Sequence, residues 1–182
     1  EGTVVDADDI LHELTHLSLH EVESRYDGLN EAEILDRASK IAMAALRFFI
    51  LKYEYRRDFV FNPKESIAFE GETGPYIMYA YARICSIYEK AIKSGILVPY
   101  NPKNDALNEK FDINHIDFSN LQHAKEVELI EKLYEYPDIL FEAAEKLKPH
   151  ILTRYLYELA QAFTGFYHEC HVLNQPQGKQ IL

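Results

Sequence analysis

The sequence has no tryptophan and only two cysteines, Cys85 and Cys170, among its 182 residues. Two cysteines cannot form the framework of a disulfide-stapled secreted domain, so we expect reduced thiols. No apolar run approaches the roughly 20 residues that cross a bilayer. Residues 1–11 also lack the basic start and apolar centre of a signal peptide. These absences predict a cytoplasmic protein without membrane contact.

Positive charge is also scarce, since 19 lysines and arginines face 30 aspartates and glutamates, for a net charge of −11. Affinity for nucleic acid comes largely from the phosphates that a protein neutralises. The composition therefore argues against a nonspecific nucleic-acid binder. Any RNA site must gather basic residues locally, and we expect the isolated chain to bind RNA weakly at physiological salt.

The chain is rich in apolar residues that recur at helical spacing, and it contains 13 tyrosines and ten phenylalanines. The pattern predicts an all-α protein with helices over about 6–23, 31–55, 75–94, 119–136, 137–147 and 149–170. The residues expected to face the core include Leu14, Leu17, Ala38, Ile41, Ala42, Ala45, Phe48, Phe49, Ile77, Tyr81, Ile84, Tyr88, Val127, Ile130, Leu133, Phe163 and Phe166.

Histidines raise the question of a metal site. His12, His16 and His20 are spaced four apart on the first helix, and a pair at that spacing can hold zinc. Two turns separate the outer histidines by about 12 Å, too far for one ion to bind all three. His168 and His171 have no further ligand group at a suitable spacing. We therefore predict solvated histidines and no metal; a histidine-rich metal bundle is the last-ranked alternative.

The stretch from Glu70 to Arg83, EGETGPYIMYAYAR, is the most informative part of the sequence. Gly71 can adopt backbone angles that other residues avoid. Thr73 or Gly74 can cap a helix, and Pro75 suits its first turn. The segment therefore predicts a sharp turn followed by a helix.

Three residues of that helix, Tyr76, Tyr79 and Arg83, recur on a face different from the expected core face. A flat aromatic ring beside a cation can stack an unpaired base and hold a phosphate. The alternative is that the tyrosines pack against a neighbouring helix, as aromatic stripes usually do. Periodicity alone favours the packing alternative.

The motif EGETGPYIMYAYAR resembles the segment with which arginyl-tRNA synthetases enter their DALR-type anticodon-binding bundle. PHILTRYLYELAQAFTGFYHEC, over 149–170, resembles a later helix of that bundle. EGTVVDADDIL, over 1–11, is similar to the segment after the KMSKS-type loop of the catalytic domain. The three blocks follow the family order and span nearly the whole chain. The loop over 96–120 is either an RNA-facing loop or a variable insertion.

The resemblance implies an all-α architecture in two parts. Residues 1–61 would be the last helices of the catalytic domain, and residues 62–182 a DALR-type anticodon-binding helical bundle. The family continues into one more long helix, so the resemblance also implies a chain truncated at its C-terminus. An apolar groove would then be exposed, and we expect dimerisation through it.

The resemblance also implies which residues meet RNA. Tyr76, Tyr79 and Tyr167 match family tyrosines that face the anticodon loop, and Arg83 and Arg154 are candidate phosphate contacts. The corresponding alternative for both arginines is an ordinary surface charge. Met78 stands where the family often has glutamine, which argues against a polar role at that position.

Near the end of the second helix, Lys52, Arg56 and Arg57 are further cations with two interpretations. The resemblance places this region against the inner corner of the tRNA, where they would meet phosphate. A basic helix C-terminus stabilised by the helix dipole explains them equally well.

No catalytic residue is expected in this chain. It contains no HIGH-type signature, no KMSKS-type loop, no glycine-rich phosphate cradle and no nucleophile–base spacing. The resemblance implies a longer arginine–tRNA ligase that uses ATP and Mg²⁺, with tRNA-Arg and the rest of the catalytic domain as partners. A different class of function, an all-α protein-interaction scaffold without RNA binding, explains the acidity better but not the three ordered blocks.

Overall fold

The computed structural model describes residues 6–25, 28–95, 119 and 121–170, and these form helices joined by short connections. The helices of this part are α1 (Ala7–Arg25), α2 (Glu31–Leu51), α3 (Pro63–Ser66), α4 (Gly74–Lys93), α5 (Ala124–Glu145) and α6 (Pro149–Glu169). The predicted all-α class is confirmed. The loop over 96–120, apart from residue 119, lies outside the described residues, as do His171 and the polar tail over 174–182.

Helix α2 begins at a reciprocal cap. The Asn30 side chain accepts a hydrogen bond from the Glu33 N–H (3.0 Å), and the Glu33 carboxylate accepts one from the Asn30 N–H (3.0 Å). Both bonds satisfy N–H groups that have no partner inside the helix. The helix ends at Leu51 with Lys52 as its C-cap, so the predicted extension to about residue 55 is wrong.

The core between α1 and α2 combines large apolar side chains with alanines of α2. Leu14 of α1 packs with Ala42 and Ala45 of α2 in one buried cluster, and Val22 packs with Ala38 in a second. Alanines allow the two helix backbones to approach closely. The predicted core faces of α1 and α2 are therefore confirmed.

The opposite side of α1 carries the three histidines. His12, His16 and His20 are exposed. Within the described ranges, no group of three or more histidine, cysteine, aspartate or glutamate side chains is arranged to hold a metal ion. No helix of those ranges is long and apolar enough to cross a membrane.

Two compact units share the chain. The first contains Glu1–Tyr79 and Glu135–Ala160, and the second contains Ala80–Tyr134 and Gln161–Leu182. Helices α4, α5 and α6 therefore each contribute residues to both units. The predicted division of the sequence at residues 61 and 62 stays a prediction.

In the first unit, two contacts join the corner between α5 and α6 to the end of α2. The Lys148 ammonium lies 2.9 Å from the Glu54 carboxylate, and the Thr153 hydroxyl donates a hydrogen bond to the Leu51 carbonyl (3.2 Å). The hydrogen bond and charge of Lys148 lower the pKa of Glu54. At the corner itself Leu147 has a φ of 53°, the left-handed conformation that commonly ends a helix.

In the second unit, the core stripe predicted for α4 is wrong. The side chains of Tyr81, Ile84 and Tyr88 are 68%, 45% and 41% exposed, whereas Ala80 and Ala91 are buried. The helical period correctly groups the large apolar residues on a face. It does not determine which face of the helix the rest of the chain covers.

Helix α5 departs from prediction in two ways. Val127, Ile130 and Leu133 were expected to face inward but are exposed. The helix was also expected to restart at Pro137, yet α5 runs through that proline without a break. A proline inside a helix loses one backbone hydrogen bond and costs about 3 kcal/mol. The ring of the preceding residue, Tyr136, contacts that of Tyr155 of α6 at 5.9 Å.

The start of α5 also differs from expectation. The sequence predicted a start near residue 119, but the helix begins at Ala124. The carboxylate of Glu126 accepts the His123 N–H (2.9 Å), and the His123 ring nitrogen Nδ1 accepts the Lys125 N–H (3.2 Å). Histidine is not a usual cap, so the capping pattern could not identify it.

Within the first unit, α4 begins in direct backbone contact with α2. A Cβ atom added to Gly74 would overlap the Ala44 carbonyl oxygen. The same Cβ atom would lie 2.6 Å from the Ala44 carbonyl carbon and 3.1 Å from the Ala45 nitrogen. Backbone atoms cannot move aside as a flexible side chain can. Only glycine therefore allows α4 to start at this distance from α2.

We predict that Gly74→Ala destabilises the protein by about 2–3 kcal/mol, because the added methyl group overpacks a backbone contact. The matched control is Gly165→Ala in α6, where the added Cβ would meet only the flexible Lys125 stem, with Cδ at 3.3 Å. Alanine is the better helix former by about 1 kcal/mol, so the control should lose no stability. Urea unfolding followed by circular dichroism measures both; equal stability of the two variants would contradict the prediction.

Candidate nucleic-acid interface

The turn before α4 is organised by the side chain of Thr73, which is buried. Its hydroxyl donates a hydrogen bond to the Ala68 carbonyl (2.6 Å) and accepts one from the Tyr76 N–H (3.2 Å). Gly71 has a φ of 77°, and its carbonyl accepts the Thr73 N–H (3.0 Å). Of the two predicted caps, Thr73 and Gly74, the structure therefore has Thr73, and this residue determines where Tyr76 emerges on the first turn of α4.

A cation from α2 holds the same turn. The Lys52 ammonium donates a hydrogen bond to the Glu72 carbonyl (3.3 Å) and lies 4.8 Å from the Phe49 ring centroid and 5.3 Å from that of Tyr53. Lys52 is also the C-cap residue of α2. These contacts give Lys52 a structural role at the C-terminus of α2. This role is the second of the two interpretations of Lys52 that the sequence allowed.

In the first unit, the two motif tyrosines differ in exposure. Tyr76 is half-buried, and its ring centroid lies 5.6 Å from that of Tyr157 of α6 at an interplanar angle of 58°. Tyr79 is 44% exposed. Met78 lies against the cluster of Val22 and Ala38, which accounts for its apolar side chain. Tyr76 therefore combines packing with a partly open ring, and Tyr79 presents more of its surface.

Arg154, also in the first unit, has a side chain that is 76% exposed. Its Nε lies 3.0 Å from the Glu158 carboxylate one turn along α6. Exposed pairs at this spacing contribute about 0.3–0.5 kcal/mol. The Arg154 side chain is therefore held weakly and stays accessible.

The second unit brings the other two predicted site residues together. The Arg83 guanidinium carbon lies over the Tyr167 ring, 4.9 Å from its centroid. The Tyr167 ring also approaches the rings of Phe163 (6.2 Å) and His168 (5.8 Å), and 37% of the residue is exposed. An aromatic ring and a cation adjoin at this point of the surface.

Two aromatic residues near the predicted site were missed from the sequence. Tyr157 contacts Tyr76, and Tyr81 is 68% exposed although the period placed it in the core. The hydrogen bond and charge of Cys85 raise the pKa of Tyr81. No helical period identified Tyr157, because its contact with Tyr76 joins two helices that are distant in the sequence.

Farther along the first unit, an exposed basic segment follows α2. Arg56 and Arg57 are exposed, and the Arg56 guanidinium carbon lies 5.4 Å from the ring centroid of the exposed Tyr55. Neither arginine lies within α2, which ends at Leu51. The dipole of that helix therefore does not account for them, and their contact with phosphate stays a prediction.

The end of α6 carries Cys170, whose thiol is buried. Burial, together with the nearby carboxylates Glu126 and Glu169, raises the pKa of Cys170. The thiol is therefore protonated at neutral pH and is a poor metal ligand or nucleophile.

The described residues thus define a class of protein: an all-α chain whose helices α4 and α6 carry partly exposed tyrosines, one of which, Tyr167, lies against an arginine. A family model for the DALR anticodon-binding domain matches residues 77–181. The chain belongs to the DALR anticodon-binding domain family. The resemblance that the sequence motifs indicated is confirmed.

Similar proteins extend the comparison to the whole chain. Arginine–tRNA ligase of Bacteroides thetaiotaomicron is 37% identical over 178 residues, covering 96% of this chain and 27% of the relative. The ligase of Treponema denticola is 37% identical over 174 residues, covering 96% of this chain and 28% of the relative. The chain therefore spans little more than a quarter of the length of these curated relatives.

Solved structures give the same result for the fold. Thermus thermophilus arginyl-tRNA synthetase superposes with a TM-score of 0.78 at 28% identity, over 97% of this chain and 28% of that one. Plasmodium falciparum arginyl-tRNA synthetase superposes with a TM-score of 0.72 at 26% identity, over 97% of this chain and 29% of that one.

We predict that Thr73→Val lowers the free energy of unfolding by about 1–2 kcal/mol, because valine keeps the shape but loses the cap and leaves the Ala68 carbonyl without its hydroxyl donor. Thr73→Ser, which retains the hydroxyl, is the control and should lose less. Thermal unfolding ranks the variants. If Thr73→Val matched the unchanged protein while Thr73→Ser lost stability, the hydroxyl would have no such role.

Proposed function

We propose that this chain is the tRNA-recognition part of an arginine–tRNA ligase and that it binds the anticodon loop of tRNA-Arg. The observation that carries the proposal is the match to arginine–tRNA ligases over 96% of the chain, together with membership of an anticodon-binding family. The longer protein would join arginine to tRNA-Arg with ATP and Mg²⁺ in the cytoplasm. The remainder of its catalytic domain would be a second partner of this chain.

The two-part organisation belongs to the same proposal. Residues 1–61 would close the catalytic domain, and residues 62–182 would be the anticodon-binding bundle. The longer protein would bind ATP and Mg²⁺ outside this chain, and no catalytic residue is assigned to this chain.

Stacking is the interaction by which the chain would bind RNA. Tyr76, Tyr79 and Tyr167 each keep part of the side chain open, and an aromatic ring stacks an unpaired base with about 1–3 kcal/mol. Hydrogen bonds to base edges would then discriminate the anticodon. Ring stacking suits a protein with a net charge of −11 because it does not require a large basic surface.

We expect Tyr76→Ala and Tyr167→Ala each to weaken tRNA-Arg binding by about 5- to 150-fold, the equivalent of one stacked base. Tyr134→Ala is the matched control, because Tyr134 is 84% exposed and lies outside the predicted set. Filter binding of tRNA-Arg to the full-length protein, repeated with anticodon-substituted tRNA, measures affinity and discrimination. Unchanged affinity and discrimination in both variants would contradict the proposal and favour an interaction scaffold.

Dimerisation of the isolated chain is a further part of the proposal. In the second unit, Tyr81 and Ile84 of α4 and Ile130 and Leu133 of α5 are exposed apolar side chains at helical spacing. Apolar faces of this kind usually mark a surface that another molecule or domain covers. We propose that two copies of the chain bury these faces when the rest of the ligase is missing.

Leu133→Lys should therefore weaken self-association of the 182-residue chain by at least about tenfold, because it places a charge in an apolar interface. Leu35→Lys, at a comparably exposed position of α2 in the first unit, should have no effect. Sedimentation equilibrium across a concentration series measures the dissociation constant. A chain that stays monomeric at the highest soluble concentration would refute dimerisation.

A further inference from the structure

Within the second unit, the side chain of Arg83 lies against a ring rather than extending away from the surface. Its guanidinium carbon is 4.9 Å from the Tyr167 ring centroid, and Arg83 is half-buried. Arg154 of the first unit provides a contrast, since its side chain is 76% exposed beside the Glu158 carboxylate. The two arginines that the sequence grouped as phosphate contacts are therefore in different environments.

A guanidinium group over an aromatic ring restricts the motion of that ring. The cation is attracted to the ring face, and the planar group of arginine can stack on it as an ammonium cannot. In the same unit, the Tyr167 ring approaches Phe163 at 6.2 Å, and 37% of the residue remains exposed. One face of the ring is thus occupied by Arg83, while part of its surface remains accessible to a nucleobase.

We propose that Arg83 is a positioning residue for Tyr167. It holds the ring in the orientation that stacks an unpaired base, and its contribution to RNA binding passes through the ring rather than through a phosphate. The inference rests on the proposed function, since it concerns the same tyrosine. It assigns Arg83 a role different from the phosphate contact that the sequence suggested.

The test is a double-mutant cycle in the full-length protein with the anticodon stem-loop of tRNA-Arg as the RNA. We expect Arg83→Ala to weaken binding by about 3- to 30-fold, the range of a cation–π contact. The same change made in the Tyr167→Ala variant should have little further effect. Arg83→Lys keeps the charge but loses the planar stack, so it should recover only part of the affinity.

Salt dependence separates positioning from phosphate binding. Loss of one phosphate contact reduces the magnitude of the slope of log K against log salt concentration by about 1. Loss of a positioning residue leaves that slope unchanged. Lys40→Ala is the control for net charge, because Lys40 is a surface cation paired with Asp36 (2.6 Å) in the first unit. Circular dichroism confirms that each variant is folded.

The outcomes are distinguishable. If Tyr167→Ala binds the stem-loop like the unchanged protein, the stacking role in the proposed function fails, and the positioning role fails with it. If Tyr167→Ala weakens binding but Arg83→Lys restores full affinity, or Arg83→Ala lowers the salt slope by about 1, only the positioning role is overturned.

Discussion

The contact between the first residue of α4 and the backbone of α2 is the constraint on which the candidate site depends. At Gly74 no side-chain atom separates the two backbones, and a Cβ there would lie 2.6 Å from the Ala44 carbonyl carbon. The hydroxyl of Thr73 and the ammonium of Lys52 hold the preceding turn. These contacts determine where α4 starts and how its first turn is oriented. The geometry of the helix then determines the directions in which Tyr76 and Tyr79 point.

The net charge of the chain bears on how the proposed site would bind RNA. The chain has a net charge of −11, and two of its best-placed cations already contact protein groups: Lys52 lies near aromatic rings, and Arg83 lies over Tyr167. A lysine or arginine held against a ring contributes less to the electrostatic field far from the protein than a side chain that extends into solvent. It does, however, orient the ring. Under the proposed function, this acidic chain would recognise an unpaired base by stacking rather than through a large basic surface.

Much of the local structure could be read from the sequence. Capping at Thr73, the core face of α2 and the solvated histidines of α1 all depend on neighbouring residues, so their patterns are sufficient to predict them. The family motif around Gly74 also indicated the fold class and the candidate tyrosines. The sequence patterns failed where the outcome depends on distant residues, as at Pro137, which remains inside α5.

The family motif named candidate site residues, but their contacts could not be predicted from the sequence. By itself, the sequence determined the all-helical class, the sharp turn into α4 and the residue types at its surface, because those follow from backbone propensity and from the residues nearby. Only the tertiary structure decided that Tyr81 and Ile84 are exposed, that Tyr76 meets Tyr157 and that Arg83 lies on Tyr167. The helical period shows which side chains share a face of a helix. Whether that face is buried depends on residues far away in the sequence.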